Sequence, residues 1–197
     1  MKKALIALGV LAILGFGCVR SYNSLVGLEQ GVRSQWGQVE NAYQRRADLI
    51  PNLVETVKGA ATFEKDTFSA VAEARSRVGQ VSAQGLDKVL NDPEAFKRFQ
   101  QAQEGLSGAL SRLMVVSERY PDLKATAAFR DLQAQLEGTE NRISVERMRF
   151  NQAAQAFNTK RQGFPTVLFA SVLGERFKEK PYFTAQAGSE VAPKVKF

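Results

Sequence analysis

Six bulky apolar residues, Phe129, Leu136, Ile143, Phe150, Phe157 and Phe164, recur every seven positions without a miss. A helix turns once per 3.6 residues, so this spacing keeps one stripe of side chains on one face, and that stripe has to be buried. A strand cannot carry the pattern, because its faces alternate at every residue. The positions three further on, Leu132, Thr139, Glu146, Ala153 and Lys160, are half polar. That mixture points to a helix packed among several others rather than to an isolated zipper.

The rest of the chain carries the same period. Leu25, Val32, Val39, Arg46 and Leu53 form one seam, flanked by Trp36, Tyr43, Ile50 and Val57. Val71, Ala74, Val78 and Val81 form a second. Phe96, Phe99, Leu106, Leu110, Leu113 and Tyr120 form a third. Punctuation falls between the seams. Gly59 suits a C-terminal cap. Thr62, with Glu64 in the first turn, suits an N-terminal one, and that helix is expected to fade near Gly85. Asp92-Pro93 opens a third helix, which stops before Pro121. A fourth runs from about Thr126 to Lys160-Arg161, ahead of Gly163 and Pro165. Almost no alternating strand pattern precedes residue 165. The expected fold is all-α: an antiparallel up-down-up-down four-helix bundle with long first and fourth helices. Two of the glycines Gly27, Gly31 and Gly37, with Ser24 and Ser34, make a small-residue stripe on the first helix, read as a close helix–helix contact or else as plain flexibility.

The N-terminus reads differently. Lys2 and Lys3 precede an unbroken small or apolar run from Ala4 to Val19, ended by Arg20. A positive start followed by an apolar stretch is the pattern of a secretory signal or signal anchor. As a helix the run spans about 24 Å, short of the roughly 30 Å hydrocarbon core, a gap that neighbouring residues or local thinning can close. Positive charge retained inside puts the body of the chain across the membrane from the cytoplasm. Cys18 follows Gly17, as in a lipoprotein signal, but Gly15 and Phe16 fit that signal poorly. Lipidation at Cys18 and an uncleaved transmembrane anchor both stand, and both tether the protein. The domains expected are therefore 1–20 (anchor or lipoprotein signal), 21–164 (helical bundle) and 165–197 (a membrane-proximal segment and loose tail).

Composition excludes several chemistries. There is no His and only one Cys among 197 residues. The usual general base, the commonest metal ligand, disulfide frameworks and cysteine zinc clusters are thereby removed. Gly105-Leu106-Ser107-Gly108-Ala109 lacks the spacing of a nucleophile elbow, and no phosphate-binding glycine loop occurs. The expectation is a protein that is not an enzyme and takes no cofactor or metal. A net charge of +7 raises nucleic acid as a partner. The export signature and the lack of a nucleic-acid module turn the reading toward anionic lipid instead.

Several stretches resemble the bacterial LemA family. They are Tyr22-Asn23-Ser24-Leu25-Val26, the run Arg45-Arg46-Ala47-Asp48-Leu49-Ile50-Pro51-Asn52-Leu53-Val54-Glu55-Thr56-Val57-Lys58-Gly59, and Tyr120-Pro121-Asp122-Leu123-Lys124. Downstream come Leu136-Glu137-Gly138-Thr139-Glu140-Asn141-Arg142-Ile143, Asn158-Thr159, Phe164-Pro165 and Lys180-Pro181-Tyr182-Phe183. The resemblance covers nearly the whole chain after residue 20. It implies a membrane-anchored, mostly helical protein outside the cytoplasm, and it brings no biochemical activity to transfer. Val19-Arg20-Ser21 after Cys18 departs from the lipoprotein-like members.

Three local readings complete the expectation. Arg46 breaks an apolar seam, and a buried guanidinium needs partners. Antiparallel first and fourth helices bring it opposite residue 138, which predicts a polar layer of Arg45 or Arg46 with Glu137 or Glu140, near Asp48, Asn141 and Arg142. Pro51 predicts a kink, with Ile50 pushed out of helical geometry. Leu168, Phe169, Leu173, Arg176, Phe177 and Lys178 mix apolar and basic side chains and suit the lipid headgroup boundary, with simple packing on the bundle as the alternative. The function expected is a scaffold or adaptor of the cell envelope. Its partners would be membrane lipid and envelope proteins, with a homo-oligomer as a further option and without nucleic acid. The alternative is a receptor-like module holding a small ligand between helices.

Overall fold

A computed structural model describes residues 2–60, 65–83, 85–170 and 174–185 of the chain. Its helices are α1 Lys2–Ala60, α2 Lys65–Ser82, α3 Leu86–Asn91, α4 Pro93–Ser117, α5 Pro121–Ala125, α6 Ala127–Gln162 and α7 Val167–Ala170, followed by a 3-10 turn at Glu175–Phe177. The protein is all-helical, with no strand among the described residues.

Side-chain chemistry sets the helix starts. The Asp92 carboxylate accepts from the Glu94 N–H at 2.9 Å and Pro93 occupies the first helical position, where its missing donor costs nothing. Thr126 caps α6 by accepting from the Phe129 N–H at 3.3 Å. At the other end Lys160 and Arg161 occupy the last turn before Gly163. Gly85 takes φ +89° just before α3, a conformation open to glycine. The short α3 was not expected. Thr62 and Glu64, the expected start of α2, lie outside the described residues.

The apolar seams do what their period requires. Leu25, Val32, Trp36, Val39, Tyr43, Ile50, Leu53 and Val57 of α1 are buried, as are Phe129, Leu136, Ile143, Phe150 and Phe157 of α6. Phe164 is not: it stands 79% exposed, because the helix that would carry the repeat ends at Gln162. α1 lies along α6, and α2 along α4. The first pair is antiparallel, since Gln35 meets Glu146, Tyr43 meets Arg147, and Arg45 meets Gln135. One core cluster gathers Trp36, Tyr43, Phe96, Phe99, Phe150, Phe157, Phe177 and Phe183; the other gathers Leu53, Val57, Val71, Leu106, Leu113 and Phe129.

Against expectation, Ile50 keeps helical geometry beside Pro51 and the small-residue stripe of α1 is unpacked. The helix runs through Pro51, and Ile50 stays helical and 2% exposed. The proline ring stands on the exposed side, and burial of Ile50 and Leu53 holds the core face in register. The small-residue stripe makes no close contact. A Cβ at Gly27, Gly31 or Gly37 would meet nothing within 4 Å, and Ser24 and Ser34 are exposed.

Candidate functional site

The first polar cluster is centred on Arg46, 1% exposed on the inner seam of α1. One terminal nitrogen donates to Glu140 Oε1 at 2.8 Å and to Ser107 Oγ at 2.6 Å. The other donates to the Gln103 carbonyl at 3.2 Å and to the Gln103 side chain. The Arg46 Nε–H has no hydrogen-bond partner. α1, α4 and α6 thus meet on one guanidinium, and among the described residues the half-exposed Glu140 supplies its carboxylate. Above it, the Tyr43 ring lies 5.2 Å from the Arg46 guanidinium, and the Tyr43 hydroxyl accepts from Arg147 Nε at 2.6 Å. Burial raises the Tyr43 pKa above its usual 10.0, against the pull of Arg147.

The other residues expected in this layer stay at the surface. Arg45 donates to Gln135 at 3.3 Å, Asp48 accepts from Gln44, and Glu137 accepts from Gln133. Asn141 and Arg142 are exposed. Their i,i+1 offset from the seam rotates them away from α1. No group of three or more metal-ligating side chains occurs among the described residues.

The second cluster lies where α1 leaves the packed body, and sequence reasoning missed it. Glu29 is fully buried and accepts from Arg176 Nη2 at 2.8 Å and Nε at 3.1 Å, and from Arg33, which also reaches Asp87. Burial alone would raise the Glu29 carboxyl. The hydrogen bonds from Arg176 and Arg33, with their charges, outweigh it and hold the pKa below the usual 4.5. Spacing could have found this residue, because Leu25, Glu29 and Val32 share one helical face.

Lys180, 2% exposed, is a further buried charge beside it. Its ammonium donates to Asn91 Oδ1 and to the Arg176 carbonyl, and lies 5.2 Å from the Phe157 ring centroid. Burial pulls its pKa down to about 8, with Glu29 and Asp87 opposing that shift and Arg33 and Arg176 adding to it.

The second cluster depends on a chain segment that the sequence assigned elsewhere. Arg176 and Phe177 were expected at the lipid boundary. Instead Phe177 is 3% exposed, its ring 5.8 Å from Tyr22, and its carbonyl accepts from Arg161 at 2.8 Å. The segment continues inward, and Phe183 stacks against Trp36 with centroids 6.0 Å apart. Aromatic burial outweighs a half-wet place at the headgroups, where a ring keeps only part of its transfer energy. Lys178 is exposed and pairs with Glu175 at 2.6 Å; Leu168 is 69% exposed. The Phe169 side chain and Leu173 lie outside the described residues. Cys18 is a free, exposed thiol.

The concavities are shallow and open, from about 190 Å³ beside Ser107 and Glu140 to about 470 Å³ between α3 and Glu175. Among the described residues one helix, running through Leu11–Gly59, is long and apolar enough to cross a membrane by length and composition. Fold and clusters together define a class: an all-helical protein whose first helix walls the core and then continues beyond it as an apolar rod. The sequence profile of the LemA family matches residues 35–197, and the chain belongs to that family. Among curated relatives it is 28% identical to Magnetosome protein MamQ 2 of Paramagnetospirillum magneticum, over 90% of this chain and 73% of that one. Magnetosome protein MamQ of Magnetospirillum gryphiswaldense is likewise 28% identical, over 91% and 73%. Protein LemA of Metamycoplasma hominis is 24% identical, over 83% and 69%.

Proposed function

We propose that this chain is a non-enzymatic, membrane-anchored helical scaffold of the cell envelope. Residues 2–20 form its single anchor, and an up-down-up-down bundle is held outside the cytoplasm. The observation that carries the reading is the change of environment along α1. From Leu25 inward its apolar side chains are buried or partly buried, whereas Leu5, Ile6, Leu8, Leu11, Ile13, Phe16 and Val19 are each 59% exposed or more. An apolar surface of that length on all sides of one helix is stable against lipid and not against water. Lipid and envelope proteins are then the partners. The space between the helices is filled by Trp36, Phe96, Phe99, Phe150 and Phe183, which favours a scaffold over a module holding a small ligand there.

Alkaline carbonate extraction of whole membranes tests the anchor, and a C-terminal alkaline phosphatase fusion tests the side. Retention in the pellet, release on deleting residues 2–19, and an active fusion are expected. A soluble full-length chain, or an inactive fusion made at normal level, refutes the proposal.

A further inference from the structure

α1 packs along α6 and α2 along α4, which leaves a cleft between α1 and α2. A cavity of about 310 Å³ lies in it, beside the filled aromatic core. Tyr43, Ala47, Val78 and Phe99 give it apolar walls, Glu40 and Ser82 add polar edges, and Gln103 of α4 reaches it from below. Tyr43, Phe99 and Gln103 are buried and Glu40 and Ser82 exposed, so the rings and the carboxamide form the floor and the other two the rim.

A carboxamide carries an acceptor and two donors side by side, and inside a protein such groups find partners. Three packed carboxamides of this chain do so at both ends. Asn158 donates to the Lys180 carbonyl at 2.9 Å and accepts from the Lys180 N–H at 2.8 Å. Asn151 does the same for Phe183, at 2.9 Å in both directions. Gln100 donates to the Thr184 carbonyl at 2.8 Å and accepts from its N–H at 3.5 Å. Gln103, 2% exposed, departs from this rule. A guanidinium can only donate, so Arg46 fixes the Gln103 oxygen as the atom that faces it and turns the nitrogen away. Among the described residues nothing accepts from that nitrogen. Nor is it one of the atoms shut off from solvent without a partner, as Trp36 Nε1 and Arg46 Nε are. It therefore meets open space, and the open space that Gln103 lines is this cavity.

We propose that this cavity binds a small uncharged carboxamide with an apolar or aromatic body, held by its carbonyl oxygen on the Gln103 N–H2 group. Two donors without an acceptor call for a ligand oxygen, and a hydrogen bond made at a buried floor is stronger than one in water. The body of the ligand lies on Tyr43, Val78 and Phe99 and removes their apolar surface from water. At ~30 Å³ for each water-sized group, the space takes roughly ten non-hydrogen atoms. An anion is disfavoured, because Glu140 already balances the Arg46 charge and Glu40 stands at the rim. Glu40 and Ser82 are placed there to accept from the amide N–H of the ligand. Apolar walls with a few convergent polar groups are what small-molecule sites share. The inference goes beyond the scaffold reading and does not rest on it.

Benzamide fits that size and is the probe. Saturation-transfer NMR on the full-length chain in micelles, with empty micelles as the blank, should show saturable binding with a dissociation constant on the order of 1 mM. Aniline keeps the ring and an N–H2 group but lacks the carbonyl, and it should bind about tenfold more weakly. Gln103→Glu retains an acceptor for Arg46 and removes both donors, and it should lose about tenfold in benzamide affinity. Ala47→Leu fills the cavity with another good helix former, and it should abolish binding at an unchanged melting temperature. Absence of saturable binding to the wild-type chain overturns the proposal. So does equal affinity for aniline, equal affinity in Gln103→Glu, or binding that survives Ala47→Leu. If Gln103→Glu does not fold, the Gln103 side-chain amide resonances of the wild-type chain decide: they move on adding benzamide under the proposal, and a fixed position sinks it.

Discussion

Arg46 shows how one residue can set the register of two helices. Its charge sits on an apolar seam, so the chain has to bring a carboxylate and neutral acceptors to it, and a one-residue slip of α6 would remove Glu140. Glu140 is 39% exposed on its side chain, so water screens it and the pair is weaker than a fully buried one. Glu140→Gln should cost about 1–2 kcal/mol in urea unfolding, since the amide keeps one acceptor for Arg46. Combined with Arg46→Met, it should show a coupling of at least ~0.5 kcal/mol; strictly additive costs would mean that the two side chains do not cooperate. Lys180 gives the residue-scale pH dependence. The amine binds its proton near 10.5 in the unfolded chain and near 8 in the fold. Between those values the unfolded chain holds more protons, so stability is flat below about pH 8 and rises from there toward 10.5. Thermal melts should show that rise in the wild-type chain and a flatter profile in Lys180→Met. Arg46 was legible because it interrupts a pattern. Asn151 and Asn158 were legible only in principle: they share a heptad position, each just after a buried Phe, but an asparagine beside a seam reads as solvated surface until its partner strand is known.

Element boundaries were readable wherever a side chain performs the capping. Asp92, Pro93, Thr126 and Gly163 act locally, within a few residues of what they stop or start. α3 was not readable, because six residues are too few to display a period and its two buried side chains, Val89 and Leu90, are adjacent in sequence. The glycines of α1 were misread for a related reason. Small residues at helical spacing look alike whether they admit a neighbouring backbone or merely face water, and only the fold says which. Facing open space, they are a pure cost to the helix. Gly31→Ala should therefore raise stability by up to about 1 kcal/mol through helix propensity and a less flexible unfolded chain, with no steric penalty. A loss of stability by calorimetry would mean that this face is covered in the working protein.

At the scale of the whole molecule, the antiparallel return of α6 along α1 brings the two ends of the helical body together. Phe177 joins them, touching Tyr22 on one side and bonded to Arg161 on the other. The seams carried that much, because long antiparallel helices fix where a chain must return. They could not carry the re-entry of residues 176–184, since a non-helical stretch has no period to read and its aromatics suit a lipid boundary and a core equally well. With Phe177 and Phe183 committed inside, the apolar surface at this end includes, among the described residues, Phe164, Val167 and Leu168, at 79, 49 and 69% exposure. It lies just past Arg161, next to where α1 runs on as an apolar rod. Side chains of this kind, flanked by cations, partition into the headgroup region at about 25 cal/mol per Å² of apolar area removed from water. Deleting residues 1–20 removes no side chain of the packed body, because Ser21 is the first buried residue described. The 21–197 chain should therefore keep its helicity and still co-sediment with vesicles containing anionic lipid. Phe164→Ser with Leu168→Ser should weaken that binding at least fivefold and leave the melting temperature nearly unchanged, because neither side chain is packed. Equal binding by both proteins would place that lipid contact elsewhere on the 21–197 body, and no binding by either would place it in the deleted apolar segment.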